Sequence, residues 1–227
     1  MRIRAKTEIL LVAVLIVFVG LSFAIERFVV YASFLQLEQT EAIEDIQRCV
    51  EAVNRESDHL VSFINDWAVW DDTYKFLQDH NEAYIESNLV DGTFTGAKID
   101  LIFFLDRSGK VVWGKTMHHQ TGEILSSSLF SSDRWPDSHP LLMKEETRDA
   151  RAGILLTEHG PMVVASTCVF KSNEEGPYQG TVVMGRFLDA DVIDTLVGQT
   201  RVQFMVWPVR EGTLPDEERQ VLNQMPE

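Results

Sequence analysis

From Ile9 to Ile25 the chain is apolar and uncharged, and from Glu26 onward apolar and polar positions alternate as they do in a water-soluble domain. The 17 residues 9–25 would span about 26 Å as a helix, slightly short of the roughly 30 Å hydrocarbon core of a bilayer. Glu26 and Arg27 can snorkel to the interface, and Phe28 to Tyr31 prolongs the apolar surface, so residues 9–31 are expected to anchor the chain in lipid. Arg2, Arg4 and Lys6 precede the run. Basic residues resist translocation, so residues 1–8 are expected in the cytoplasm and the bulk of the chain in the periplasm or outside the cell. The anchor is then a single pass of the inner (cytoplasmic) membrane. A cleaved signal peptide is the rival reading, with Ser22 and Ala24 at cleavage spacing. The length of the run and the lack of a helix breaker after it favour an uncleaved anchor.

No Pro or Gly interrupts Glu26 to Trp67. Ile43, Ile46, Val50, Val53, Ser57, Leu60, Ile64 and Trp67 follow one another at steps of three and four, with Ser57 the single polar member. This spacing predicts one long helix with a heptad seam. Either a second subunit or the domain's own sheet could cover the seam, and the expected division has the lower part pairing between subunits and the upper part packing on the sheet. Short helices are predicted at Thr73 to Gln78, capped by Asp71 or Asp72, and at Tyr84 to Leu89, before a turn at Asp91-Gly92. Strands are predicted at Ile99–Leu105, Val111–Gly114, Ile154–Thr157, Met162–Phe170, Thr181–Phe187 and Val202–Trp207, with Asp106 to Gly109 as a hairpin turn. A short helix is expected at Leu141–Arg148 and a longer one at Leu188–Gln199. Hairpin connections imply a mostly antiparallel sheet, hence an α+β fold: a transmembrane helix continuing into a long helix packed on the sheet. Residues 32–207 form the exported domain and 208–227 a polar tail.

Charge narrows the partners. The chain holds 20 basic and 35 acidic side chains, and beyond residue 8 the balance is −17. Such a surface repels phosphate backbones and anionic lipid, so no nucleic acid is expected as a partner. Cys49 and Cys168 are too few to form a disulfide framework, and whether they pair is left open.

The sequence lacks G-x-S-x-G, a Walker loop, a G-x-G-x-x-G helix start and H-E-x-x-H. His118-His119 reads as a pair of solvated loop residues, and neither metal nor cofactor is expected. Asp66, Asp71 and Asp72 could suggest acid and base carboxylates, which keeps a membrane-tethered hydrolase as an alternative. The aromatic stretch around Trp67, Trp70 and Tyr74 has two readings. Its rings can simply fill the junction of helix and sheet, or they can wall a pocket in which Asp71 and Asp72 hold an amine or polyol. Arg186, at the end of a core strand, demands a carboxylate: a structural ion pair with Asp71 or Asp72 is the expected arrangement, and a clamp on a ligand carboxylate is the alternative.

Trp67-Ala68-Val69-Trp70-Asp71-Asp72-Thr73-Tyr74 resembles the hallmark of the type-four CHASE domain, an extracellular sensory module of bacterial receptors. Gly153 to Thr157 with Gly160 to Ser166 resembles that family's central hairpin, and Gly176-Pro177, Gly180-Thr181 and Met184 to Leu188 its next strand. The resemblance runs from about Val30 to Trp207. It implies a PAS-like, Cache-related sheet outside the cell; in that family a second span usually leads to a cyclic-di-GMP enzyme or a histidine kinase, so this sequence, without them, is expected to be either the N-terminal portion of a receptor or a truncated product. The expectation is therefore a non-enzymatic, homodimeric sensory domain that binds an unknown small ligand through Trp67, Trp70, Asp71, Asp72, Tyr74 and Arg186. A module that only scaffolds another protein is the third alternative.

Overall fold

The computed structural model describes residues 2–130, 133–144, 147–173 and 175–206. Trp207 and the polar tail 208–227 lie outside the described residues. The chain divides into a unit ending at Val50 and a unit from Glu51 onward.

The first unit is helical. Helix α1 runs Arg2–Ile25, a π-helical stretch follows at Glu26–Val30, and α2 begins at Tyr31 and continues to Ala68. The large apolar side chains of α1 from Ile9 to Ile25 are more than half exposed, Ile9 at 69% and Ile25 at 52%. This is the one helix among the described residues long and apolar enough to cross a membrane, with a mean hydropathy of 2.8 over its best window. Along α2, Ile43, Ile46 and Val50 are also exposed.

In the second unit five strands form one antiparallel sheet in the order β2-β1-β5-β4-β3. The strands are β1 Leu101–Asp106, β2 Val111–Thr116, β3 Arg151–Thr157, β4 Gly160–Cys168 and β5 Gly180–Phe187. The β1–β2 turn is held by Asp106, whose Oδ1 accepts from Ser108 N at 2.7 Å and Lys110 N at 3.0 Å. Gly109 takes the left-handed conformation there, φ 80°, which a side chain would disfavour. Burial acts to raise the pKa of Asp106, but the hydrogen bond from Ser108 Oγ, with the two backbone N–H bonds, outweighs it and lowers the pKa.

Alternation along β1 and β5 sends side chains to two cores. On one face Ile102, Phe104, Val182 and Met184 meet Val53, Leu60, Ile64 and Ala68 of α2. Helices α3 (Asp71–Asp79), α4 (Glu82–Asn88), α5 (Asp91–Ala97) and α6 (Ala190–Thr200) contribute Phe76, Tyr84, Phe94 and Val192 to this core. Phe76 stacks on Tyr84 at 4.5 Å between ring centroids and meets Phe104 edge-on at 5.6 Å. On the other face Leu101, Phe103 and Leu105 pack under Phe130, Trp135 and Leu142 from the long β2–β3 connection.

Four expectations from sequence are corrected. Helix α3 begins at Asp71 itself, capped at Trp70 without a side-chain hydrogen bond, so neither aspartate is the cap. Residues 91–97 form α5 rather than only a turn, because burial of Phe94 outweighs two helix-weakening glycines. Leu141 to Lys144 is not helical, since Leu141 and Leu142 face one core while Met143 enters a small separate cluster with Cys168 and Phe170. Val202 to Val206 joins no ladder, although Phe204 and Val206 pack against the α2-side core.

Candidate functional site

The face of the sheet under α2 holds a cavity of about 210 Å³. Its apolar walls include Leu60 and Phe63 of α2, Ile99, Val163 of β4 and Leu188. Arg186 enters this side because it continues the Val182–Met184 row of β5 and sits opposite Val163 in the ladder. Its Nη1 donates to Oε2 of Glu56 at 3.0 Å. Both side chains are largely covered, with exposures of 26% and 14%. The Arg186 Nε–H is buried and has no hydrogen-bond partner among the described residues. Exposed His59 and Lys98 complete the lining, Lys98 in the left-handed conformation that ends α5. An apolar chamber with one half-satisfied guanidinium can take a small molecule carrying one negative group.

The pairing of Arg186 with Glu56 corrects the expected partner, Asp71 or Asp72. The signal was present in the sequence: Glu56 is three residues after Val53 and four before Leu60, so a carboxylate shares the apolar seam alongside Ser57. A charged residue on a buried stripe must have a partner within that core.

The remaining expected site residues lie elsewhere and apart. Asp71 is bound reciprocally to Ser172: its Oδ1 accepts Ser172 N at 2.9 Å, and its own N–H donates to Ser172 Oγ at 3.1 Å. With Tyr74 and Lys171 it borders one open surface cleft. Lys171 Nζ lies 5.4 Å from the centroid of the Tyr74 ring, and Tyr74 OH donates to Pro177 O at 3.3 Å. Trp70 and Asp72 border a second cleft with Tyr84 and Asn81. Trp67 and Trp70 meet edge to face at 6.3 Å, and Trp70 meets Tyr84 at 5.9 Å. Burial pushes the Tyr84 phenol up to about 12, opposed by its 2.7 Å hydrogen bond with Thr73 and reinforced by Asp72. The aromatic stretch thus closes the junction of helix and sheet, while Arg186 belongs to a different chamber.

The histidine pair also differs from expectation. His119 is buried and only His118 is partly exposed. Asp100, wholly buried, accepts His119 N and pairs with His119 Nδ1, both at 2.8 Å through Oδ1, and accepts Phe187 N at 2.8 Å through Oδ2. Asp100, His118 and His119 offer donor atoms within 4.8 Å of one another, the donor set a divalent cation could bridge. Both oxygens of Asp100 are already engaged, so the arrangement serves first as a clasp joining the starts and ends of β1, β2 and β5.

A profile of the CHASE4 domain matches residues 52–206. The chain belongs to the CHASE4 family. The matched span includes the cavity, the Arg186–Glu56 pair and all five strands of this CHASE4 domain. A curated relative is the methanogenesis regulatory histidine kinase FilI of Methanothrix harundinacea (strain 6Ac), 33% identical over 129 residues, which are 55% of this chain. The chain spans only 14% of that kinase. Two solved structures share the fold. One is the extracellular domain of the putative histidine kinase vpHK1S-Z8, with TM-score 0.53 and 16% identity over 73% of this chain and 62% of that one. The other is a domain of a putative sensory box/GGDEF family protein from Vibrio parahaemolyticus, with TM-score 0.51 and 14% identity over 69% of this chain and 62% of that one.

Proposed function

We propose that this CHASE4 domain is the extracytoplasmic input of a membrane receptor, anchored in the cytoplasmic membrane by residues 9–31. A small ligand enters the domain and biases α2, which carries the change toward the membrane. One observation supports the reading above others: the cavity that could hold a ligand has α2 as a wall, through Glu56, Leu60 and Phe63, and α2 is the helix that continues back to the span. Ligand energy acts on the helix only through unequal affinity for two arrangements of it, and about 1–3 kcal/mol of coupling gives a usable signal. Homodimerisation is part of the proposal, because the exposed Ile43, Ile46 and Val50 continue the seam that the sheet covers from Val53 onward. A histidine kinase or cyclic-di-GMP enzyme is the proposed output, by kinship with the receptors above.

The test places cysteine at Ile46, with Cys49→Ser, in the full chain in native membranes and follows disulfide formation between protomers. Crosslinking should occur, and its rate should change when fractionated small metabolites are supplied. The absence of any crosslink, or a rate unmoved by every fraction, would refute the relay.

A further inference from the structure

We propose that the cavity beneath α2 binds a short aliphatic monocarboxylate, and that the ligand takes Arg186 from Glu56. The inference rests on the sensory reading above and names the ligand class. Four features of the chamber select that chemistry. The guanidinium already donates to one carboxylate, through Nη1 at 3.0 Å, while its buried Nε–H lacks a partner. A second carboxylate approaching from the cavity side can satisfy Nε and one Nη together, the planar two-point fit that arginine offers, and repulsion between two carboxylates on one guanidinium then expels Glu56, which holds it through Nη1 alone. Leu60, Phe63, Ile99, Val163 and Leu188 make most of the remaining wall apolar, the other polar groups being those of the exposed His59 and Lys98, so an aliphatic tail suits the interior. The size is set by the volume, about 210 Å³, the room of roughly seven waters. Charge fixes the sign: with Glu56 displaced, Arg186 and Lys98 leave the chamber cationic.

Exchange of the partner is what would reach the helix. Glu56 belongs to α2 and Arg186 to β5, so their pair tethers the helix to the sheet. A ligand that satisfies Arg186 from within the sheet side releases Glu56 to water and removes that tether. Glu56 is thus an internal competitor, and the protein holds the site closed until an outside carboxylate outbids it.

The experiment measures binding of acetate, propionate, butyrate, valerate and hexanoate to the full chain in detergent micelles by calorimetry, with butylamine and butanol as controls. Affinity should rise about fourfold per added CH₂ until the chamber is full and then fall. Arg186→Gln should lose tenfold or more, and Arg186→Lys should recover only part of it. Glu56→Gln, which removes the competitor, should bind butyrate several-fold more tightly than the wild type. Failure of every carboxylate to bind both wild type and Glu56→Gln, with melting curves showing both folded, overturns the proposal. So does butylamine binding that Glu56→Gln abolishes, which would make Glu56 the ligand contact. Equal butyrate affinity in wild type and Glu56→Gln overturns the exchange. Pairing these data with the Ile46 crosslinking separates the two readings. Carboxylate binding that leaves crosslinking unchanged supports this inference against the relay. Crosslinking that answers other metabolites while no carboxylate binds supports the relay against this inference.

Discussion

Gly180 begins β5 opposite Asp106 of β1, and the strand it begins carries Arg186 to the cavity six residues later. A Cβ at position 180 would run into the carbonyl oxygen of Leu105, and would also lie 3.1 Å from Leu105 C and 3.2 Å from Asp106 Cα. All three are backbone atoms of the neighbouring strand, so no side-chain rotation relieves the contact and β1 and β5 must move apart. Overpacking of this kind costs typically 1–3 kcal/mol, and a backbone obstruction between two central strands puts Gly180→Ala at about 3 kcal/mol. For a unit of this size each kcal/mol moves the melting point by about 2–4 °C, so a fall of about 6–12 °C is expected. Gly198→Ala is the matched control. Gly198 is exposed on α6 and a Cβ there meets nothing within 4 Å, so the change should raise the melting point by about 1–4 °C through the helix preference of alanine. Both are read by tryptophan fluorescence during a thermal ramp of the full chain in micelles. A Gly180→Ala protein melting within about 2 °C of wild type would show that β1 and β5 are not paired in this register.

Phe76→Ala removes a fully buried ring from the stack with Tyr84 and Phe104, and a loss of about 3–5 kcal/mol is expected from urea titration, against near neutrality for an exposed neighbour such as Gln78→Ala. Asp71→Ala removes the acceptor of Ser172 N while its own N–H can still donate to Ser172 Oγ, and should cost about 1 kcal/mol, a larger fall in melting temperature than Asp79→Ala gives, because among the described residues the Asp79 side chain bonds to Asn81, two residues away. Glu158 accepts from Ser127 Oγ, Ser128 N and Ser128 Oγ, and these bonds hold its carboxyl down to about 2 from an ordinary 4.5. A depressed folded-state pKa gives stability that is complete above the unfolded value, so amide-exchange protection at Ser128 should decline as pH falls from about 4.5 to about 2. Glu158→Gln should flatten that decline, and an unchanged profile would refute the assignment.

Much of this fold was legible in periodicity. The steps of three and four along α2 located its buried face, and the division at Val50 and Val53, between exposed and covered seam, fell where the helix meets the sheet. Apolar strands and the Asp106–Gly109 turn marked the β1–β2 hairpin because their local chemistry permits little else. What failed was inference from a face to a backbone. Val202, Phe204 and Val206 alternate as a strand does, yet alternation reports only which side chains meet the core, and among the described residues no strand pairs with them. The need of Arg186 for a carboxylate was legible, but the identity of that carboxylate was not. Arg186 announced a carboxylate partner, but adjacency of Asp71 and Asp72 to conspicuous aromatics drew attention away from Glu56, whose acidic side chain looks like ordinary helix surface until it is placed on the Val53–Leu60 stripe. His119 was misread for the same reason: nothing near it in sequence reveals that Asp100, 19 residues earlier, bonds it inside the domain.

Where α1 passes into α2, the five residues Glu26–Val30 are wound one residue wider, with Tyr31 N–H reaching back to Glu26 O. Converting that stretch to ordinary α winding turns everything on one side by about 100° and shifts it by about 1.5 Å while every residue stays helical. Under the proposed relay, that change of winding would alter the phase of α1 against Ile43, Ile46 and Val50 with little travel along the axis.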